Sequence, residues 1–233
     1  KQMPPSSFGE ASTSDDADSD ATASESLTDA ESILSECLSA AVPQQWLSWH
    51  YRSQDESLIA FSNLHYYEGR LSSFPAPGLG VGGGHSDRGL SLVRVGGVFE
   101  RSGKGKTLRT NRKEAEAIVE EIRRRFEASP EAVPSIGVVT FNQQQRAFIE
   151  ALIRDGGDTR IIEALDSTQE EGLFIKNLEN VQGDERDVIL FSTAFSVNAN
   201  GVLPLNFGPL SLEGGERRLN VAITRARRQV VLF

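Results

Sequence analysis

"GGERRLNVAITRARRQVVLF" (214–233) reads as a helix that runs into a strand. At about 100° per residue, Leu219, Ala222, Ile223 and Ala226 share one arc, the stripe a helix buries. "QVVLF" (229–233) closes the stretch as an apolar run of strand length. A run without polar alternation marks a strand covered on both faces, the habit of parallel sheets in α/β proteins. The spacing predicts a helix over 214–226, on which Arg218 and Arg225 lie about 700° apart and point nearly the same way. Both sit beside the apolar arc, where a guanidinium fork can enter a cleft and meet an anion. Arg217, Arg227 and Arg228 read as decoration of a solvated face.

The pattern extends upstream. "NRKEAEAIVEEIRRRF" (111–126) is a helix capped by Asn111, with Glu114 completing a capping box and Ala115, Ile118, Val119, Ile122 and Phe126 forming its stripe. "SIGVVTF" (135–141) is a buried strand, and "NQQQRAFIEALI" (142–153) a helix turning Phe148, Ala151 and Leu152 inward. "LFIKN" (173–177) and "DVILFSTAF" (187–195) are strands. Toward the amino end come a helix over 27–40, a buried strand "QWLSW" (45–49), a helix over 55–67, a Pro/Gly-rich loop over 74–89 and a strand over 90–95. Alternating strands and helices make the fold class α/β, a mostly parallel sheet covered on both faces. In such sheets ligands gather beyond the carboxyl ends of the strands.

Composition bounds the partners. The net charge of −9 looks wrong for a nucleic-acid binder. Residues 1–31, however, hold eight of the 33 acids against Lys1 alone, which leaves the remainder near neutrality at −2. Basic clusters then stand out at 101–113 and 217–228. "SSFGEASTSDDADSDATASES" (6–26) lacks the apolar residues that would offset its ordering entropy, so residues 9–26 read as a flexible acidic loop. Cys37 is the one cysteine, which excludes an internal disulfide and points to a reducing, cytoplasmic setting. The three histidines are scattered, with no metal-ligand spacing, and no apolar run reaches membrane-spanning length.

Five segments, in order, resemble motifs of superfamily 1 helicases in the branch related to the RNA-surveillance helicase. "RRLNVAITRAR" (217–227) resembles motif VI, which makes Arg225 the arginine that reaches the γ-phosphate of ATP held by a neighbouring RecA-like domain. Arg218 accompanies it on the nucleotide side. "NLENVQGDERDVILFS" (177–192) resembles motif V, which assigns Gln182, Gly183 and Glu185 to the nucleotide side. Asn177 stands there where a threonine or serine often contacts nucleic-acid backbone, and Val181 replaces a usual phenylalanine. "WHYRSQDESLIAFSNLHYYEGRL" (49–71) resembles the opening of the second RecA-like domain, with Tyr51 near the adenine and Arg52 a second phosphate sensor. "GVVTFNQQQRAFIEAL" (137–152) resembles a segment facing the nucleic-acid strand through Thr140, Asn142 and Gln145. "KQMPPSSF" (1–8) looks like the tail of motif III, with Gln2 as the γ-phosphate sensor.

The resemblance implies a RecA-like three-layer sandwich over 27–233, the second motor domain of a longer helicase. It implies ATP with Mg2+ as cofactor, the metal held mainly by the first domain. It implies single-stranded DNA or RNA and the amino-terminal RecA-like domain as partners, with no membrane. Gly105-Lys106-Thr107 resembles the end of a phosphate-binding loop, but Glu100 occupies the position of its required first glycine. No Asp-Glu pair ends an apolar strand. A non-catalytic RecA-like docking module is the alternative reading, and an unrelated phosphate-binding enzyme using the 103–107 loop is a weaker third.

Overall fold

The computed structural model describes residues 33–75, 87–101, 108–167, 171–198, 200–203, 205–211 and 214–233. Gln2 with the 1–8 segment, the acidic loop 9–26 and Gly105–Thr107 lie outside the described residues. Those described fall into two units, 33–47 and 48–233. The first contains α1 (Ile33–Ser39), none of whose residues is buried. The buried strand expected over 45–49 is not found: Leu47 is 86% exposed and only Trp49–His50 is extended into a strand.

In the larger unit the elements follow as β1 (Trp49–His50), α2 (Ser57–Tyr66), β2 (Ser72–Ser73), β3 (Gly89–Leu92), α3 (Arg112–Ala128), β4 (Ile136–Thr140), α4 (Gln143–Asp155), α5 (Thr159–Asp166), β5 (Phe174–Asn177), β6 (Arg186–Ser192), a 3-10 turn (Gly208–Ser211), α6 (Gly215–Ile223) and β7 (Ala226–Leu232). β1 and β2 form a small parallel pair. The other five strands form one parallel sheet in the order β3-β7-β6-β4-β5.

Successive strand residues face opposite sides, so one apolar run serves two cores. Val138, Val188, Leu190 and Val231 pack with Ile118 and Ile122 of α3, Ile149 and Ile153 of α4, and Ile161 of α5. Their neighbours Val139, Ile189, Phe191 and Val230 pack with Leu58 of α2 and Ala222 of α6. This is the three-layer α/β sandwich expected from the strand pattern and from the RecA-like resemblance. Each fully buried isoleucine contributes about 1.5–3 kcal/mol through removal of apolar surface from water.

Three local expectations are corrected. The last helix ends at Ile223, not 226, because the chain leaves it to pair with β6: the Arg225 carbonyl accepts from the Arg186 amide at 3.2 Å and β7 begins at Ala226. Arg225 therefore lies in a turn, and the helical argument that aligned it with Arg218 does not apply. Within α6 the buried residues are Gly215, Asn220, Val221 and Ala222, while Leu219 and Ile223 remain partly exposed. In α4 the buried row is Gln145, Ile149 and Ile153, with Phe148 and Leu152 only partly covered.

The third correction concerns Glu114. Asn111 caps α3 as expected, accepting from the Glu114 amide at 3.3 Å. The Glu114 carboxylate does not return to the Asn111 amide, which donates instead to Gln145 Oε1 at 2.9 Å. It accepts from Ser192 Oγ at 2.6 Å and from the Ala194 amide at 2.9 Å. Ala194 has a positive φ of 59°, and β6 ends before it, at Ser192. A buried carboxylate thus ties the end of β6 to the start of α3, a tie that outweighs the local capping box.

Two predictions follow from this packing. A Cβ at Gly137 of β4 would fall 2.3 Å from Phe174 Cζ and 2.8 Å from Ile189 Cδ1. Gly137→Ala is expected to lower unfolding free energy by about 1–3 kcal/mol in denaturant titration. Burial raises the Glu114 pKa above its ordinary 4.5, against the opposing bonds from Ser192 and Ala194. The native state therefore holds that proton more tightly than the unfolded chain. The Glu114 contribution is complete below pH 4.5 and fades as pH rises through its native pKa. Glu114→Gln, neutral throughout, is expected to flatten that limb of the stability–pH curve.

Candidate functional site

Residues assigned to function gather at opposite ends of the sheet. The arginine cluster lies at the amino ends of β6 and β7, not at the carboxyl ends where ligands of open α/β sheets usually collect. Backbone pairing builds it. The Arg186 amide bonds the Arg225 carbonyl at 3.2 Å as β6 and β7 come into register. The segment after β1 runs along the start of β7: Ser53 Oγ donates to the Ala226 carbonyl at 3.2 Å and the Gln54 amide to the Arg227 carbonyl at 2.7 Å. Arg52, about 170 residues upstream of Arg225 in sequence, is thereby set beside it.

Arg52 Nε donates to Glu185 Oε2 at 2.6 Å and its Nη1 to the Thr224 carbonyl at 3.3 Å. Arg225 folds against its own turn, with Nε donating to the Val221 carbonyl at 2.8 Å and Nη2 to Thr224 Oγ1 at 3.3 Å. Arg225 makes no ion pair among the described residues, although Arg52 does. Burial, then the positive charge of Arg52, lowers the Arg225 pKa; Glu185 works in the opposite direction. Two guanidiniums held this close create a positive potential that an incoming anion would relieve.

The other expected members differ in their placement. Gly183 takes a φ of 96°, a backbone that a side chain would strain, in the turn that delivers Glu185. Gln182 is exposed in the same turn. Tyr51 is 79% exposed beside Arg52, an open aromatic face. Arg218 is not joined to Arg52, Glu185 or Arg225 by any hydrogen bond or ion pair among the described residues. Its Nη1 is buried with no hydrogen-bond partner there.

His50 belongs to this cluster and was not legible in the sequence. It contacts Ser53 Oγ at 2.8 Å through Nε2, and burial, Arg52 and Arg225 all lower its pKa, so it stays neutral near pH 7. A cavity of about 870 Å³ lies alongside, bordered by Gly183, Asp184 and Glu185 but by neither Arg52 nor Arg225. Its charged walls are already neutralised in pairs, Lys176 with Asp184 at 2.6 Å and Arg154 with Asp166 at 2.7 Å. The crowded positive charge of Arg52 and Arg225 therefore lies outside this cavity.

At the carboxyl ends of β4 and β5 a second concavity of about 390 Å³ is lined by Phe99, Arg101, Arg109, Asn142, Asn177 and Phe195, among others. Thr140 and Gln145 are both fully buried. Thr140 Oγ1 donates to the Asn142 carbonyl at 2.9 Å, and Gln145 Nε2 donates to the Asn111 carbonyl at 3.2 Å. These two side chains brace the pocket from inside instead of presenting a contact surface. Asn142 caps α4, accepting from the Gln145 amide at 2.7 Å. Asn142 Nδ2 and Asn177 Oδ1 are buried without a hydrogen-bond partner among the described residues, and Asn177 as a whole is buried, so the expected backbone contact by Asn177 is not offered at the surface. Phe99 and Phe195 pack with ring centroids 4.9 Å apart at the wall, a contribution that short-range spacing does not disclose.

No group of three or more His, Cys, Asp or Glu among the described residues is arranged to hold a metal ion. No helix among them is long and apolar enough to cross a membrane.

Comparison with known proteins supplies the family. The model described as "AAA domain" matches residues 30–233. The chain is 35% identical over 193 residues to an uncharacterized ATP-dependent helicase, MG140, of Mycoplasma genitalium, and 34% identical over 193 residues to its Mycoplasma pneumoniae homolog. Each match takes in 80% of this chain and 16% of the relative, so the chain spans about one sixth of the length of those relatives. With the parallel sandwich and the motif order, the chain belongs to the AAA domain family, in the superfamily 1 helicase branch related to the RNA-surveillance helicase.

Proposed function

We propose that this chain is the second RecA-like motor domain of an ATP-dependent nucleic-acid helicase or translocase. The observation that carries this reading is the proximity of Arg52 to Arg225, a half-buried guanidinium without a carboxylate partner among the described residues, at one end of the sheet. The donor set suits a triphosphate: two forked cations, the Gly183 turn and the open ring of Tyr51. Arg225 and Arg52 would face the γ-phosphate, and Gln182, Gly183, Glu185 and Arg218 would border the nucleotide. Gln2 would join them from the 1–8 segment. Bound ATP with Mg2+ supplies the phosphoryl group to be transferred, and the metal is assigned mainly to the first RecA-like domain.

In this reading Arg225 stabilises charge that develops on the transferring group, a contribution the arginine makes only once the two domains close. At the opposite sheet end, the concavity bordered by Asn142 and Asn177 would receive a single strand, while Thr140 and Gln145 brace it from inside. Arg101 and Arg109 add the cationic charge that draws phosphates. Separation of the two sites by the length of the strands is what lets nucleotide-driven domain closure alter grip on the strand.

In the full-length protein, Arg225→Ala is expected to lower nucleic-acid-stimulated ATPase kcat on the order of 10³-fold. Unchanged turnover would favour the docking-module reading instead. The 233-residue chain alone, lacking a complete phosphate-binding loop, is expected to hydrolyse ATP negligibly. Arg109→Ala is expected to reduce the slope of log K against log salt for single-strand binding by about 0.7, the loss of one phosphate contact. A slope that does not change would remove Arg109 from the track.

A further inference from the structure

Arg227 read as surface decoration from the sequence, and the structure contradicts that. Its side chain is 22% exposed. Nε donates to Asp187 Oδ1 at 2.7 Å; Nη1 and Nη2 reach the two oxygens of Glu171 at 2.9 and 2.5 Å. Nη2 also donates to Ser135 Oγ at 3.2 Å, and that hydroxyl is bonded to Glu171 at 2.9 Å. One guanidinium thus joins the residue ahead of β4, the loop ahead of β5 and the first residues of β6 and β7. These bonds hold the Glu171 carboxyl down at about 2. A single exposed ion pair would count for little, but a forked arginine fixed by two carboxylates and a hydroxyl is a rigid point.

That rigid point touches the arginine cluster through one residue. Arg227 Nη1 lies 3.7 Å from Glu185 Oε1, while Arg52 Nε takes the other oxygen, Oε2, at 2.6 Å. The Glu185 carboxylate is therefore shared between a braced cation and a cation assigned to the nucleotide. Glu185 is 41% exposed and borders the cavity of about 870 Å³, toward which it could otherwise turn. We propose, resting on the motor reading above, that Arg227 is a positioning residue: anchored by Glu171 and Asp187, it orients Glu185 so that Glu185 holds Arg52 beside Arg225. Arg227 touches neither nucleotide nor nucleic acid in this role. It acts through the shared carboxylate, and it keeps Arg52 from being pushed off by its like-charged neighbour Arg225.

The test is a double-mutant cycle in the full-length protein, with ATPase measured in the presence of single-stranded nucleic acid. Arg227→Gln is expected to lower kcat about tenfold with the KM for ATP changed less than about twofold. In a Glu185→Gln background, the same substitution is expected to change kcat less than about twofold, because the residue it acts through is already disabled. Asp187→Asn, which leaves Arg227 in place but loosens it, is expected to shift kcat in the same direction by a smaller factor, and it serves if Arg227→Gln lowers Tm. Equal losses from Arg227→Gln in both backgrounds would show a merely structural role and overturn the proposal. So would full activity in Arg227→Gln and Asp187→Asn. A wild type without nucleic-acid-stimulated turnover defeats the motor reading and this inference with it, whereas an active wild type with indifferent variants defeats the inference alone.

Discussion

The parallel pairing of β6 with β7 sets the position of every charged group in the arginine cluster. It begins where the Arg186 amide meets the Arg225 carbonyl and continues through Val188 with Gln229 to Phe191 with Leu232. Because the pairing starts at the first residue of each strand, Arg186 with Ala226, with one register shift before Val188, the turn carrying Gly183 and Glu185 and the turn carrying Thr224 and Arg225 open at the same end of the sheet. The segment after β1 then adds Arg52 to that edge through main-chain and hydroxyl bonds to β7. None of these contacts is local in sequence, and all rest on a sheet whose two faces are closed by apolar packing.

Electrostatics at this edge are arranged by sharing rather than by pairing. Arg52, Arg227 and Arg225 lie around Glu185, and only the first two reach its oxygens. Arg225 is left with its own backbone turn as partner, partly desolvated and crowded by Arg52. A guanidinium in that condition gains more from a new anion than a solvated one does, because less hydration is given up and more like-charge repulsion is relieved. The opposite edge follows another logic. Its buried Gln145 and Asn111 bond each other, and Glu114 bonds Ser192 and Ala194, so the starts of α3 and α4 are locked to each other and to the end of β6, and the concavity there stands on a rigid base.

Much of the architecture was legible in the residues. Continuous apolar runs at 136–140 and 187–192 allow only strands buried on both sides, and the stripe on 112–126 allows only a helix lying on such a sheet. Both forms follow from repeat periods of side-chain direction, which are local properties. The turn at Gly183 was recognisable because a glycine between two apolar runs marks a turn, again a local property. Failures came where a local rule met a distant partner. Glu114 left its capping box for Ser192, "QWLSW" stayed exposed with only Trp49 in a strand, and pairing with β6 ended a helix that the apolar spacing would have continued.

The amino-acid sequence by itself determined the α/β class and the covered parallel sheet, since periodicity needs no knowledge of neighbours. Tertiary structure alone decided which arginines lie together. Arg218 and Arg225, seven residues apart, are not joined, while Arg52 and Arg225 sit side by side across most of the chain. Arg227 turned from surface charge into a brace for the same reason. Strand register brings remote turns to a common edge, and register is a property of the whole sheet rather than of any segment in it.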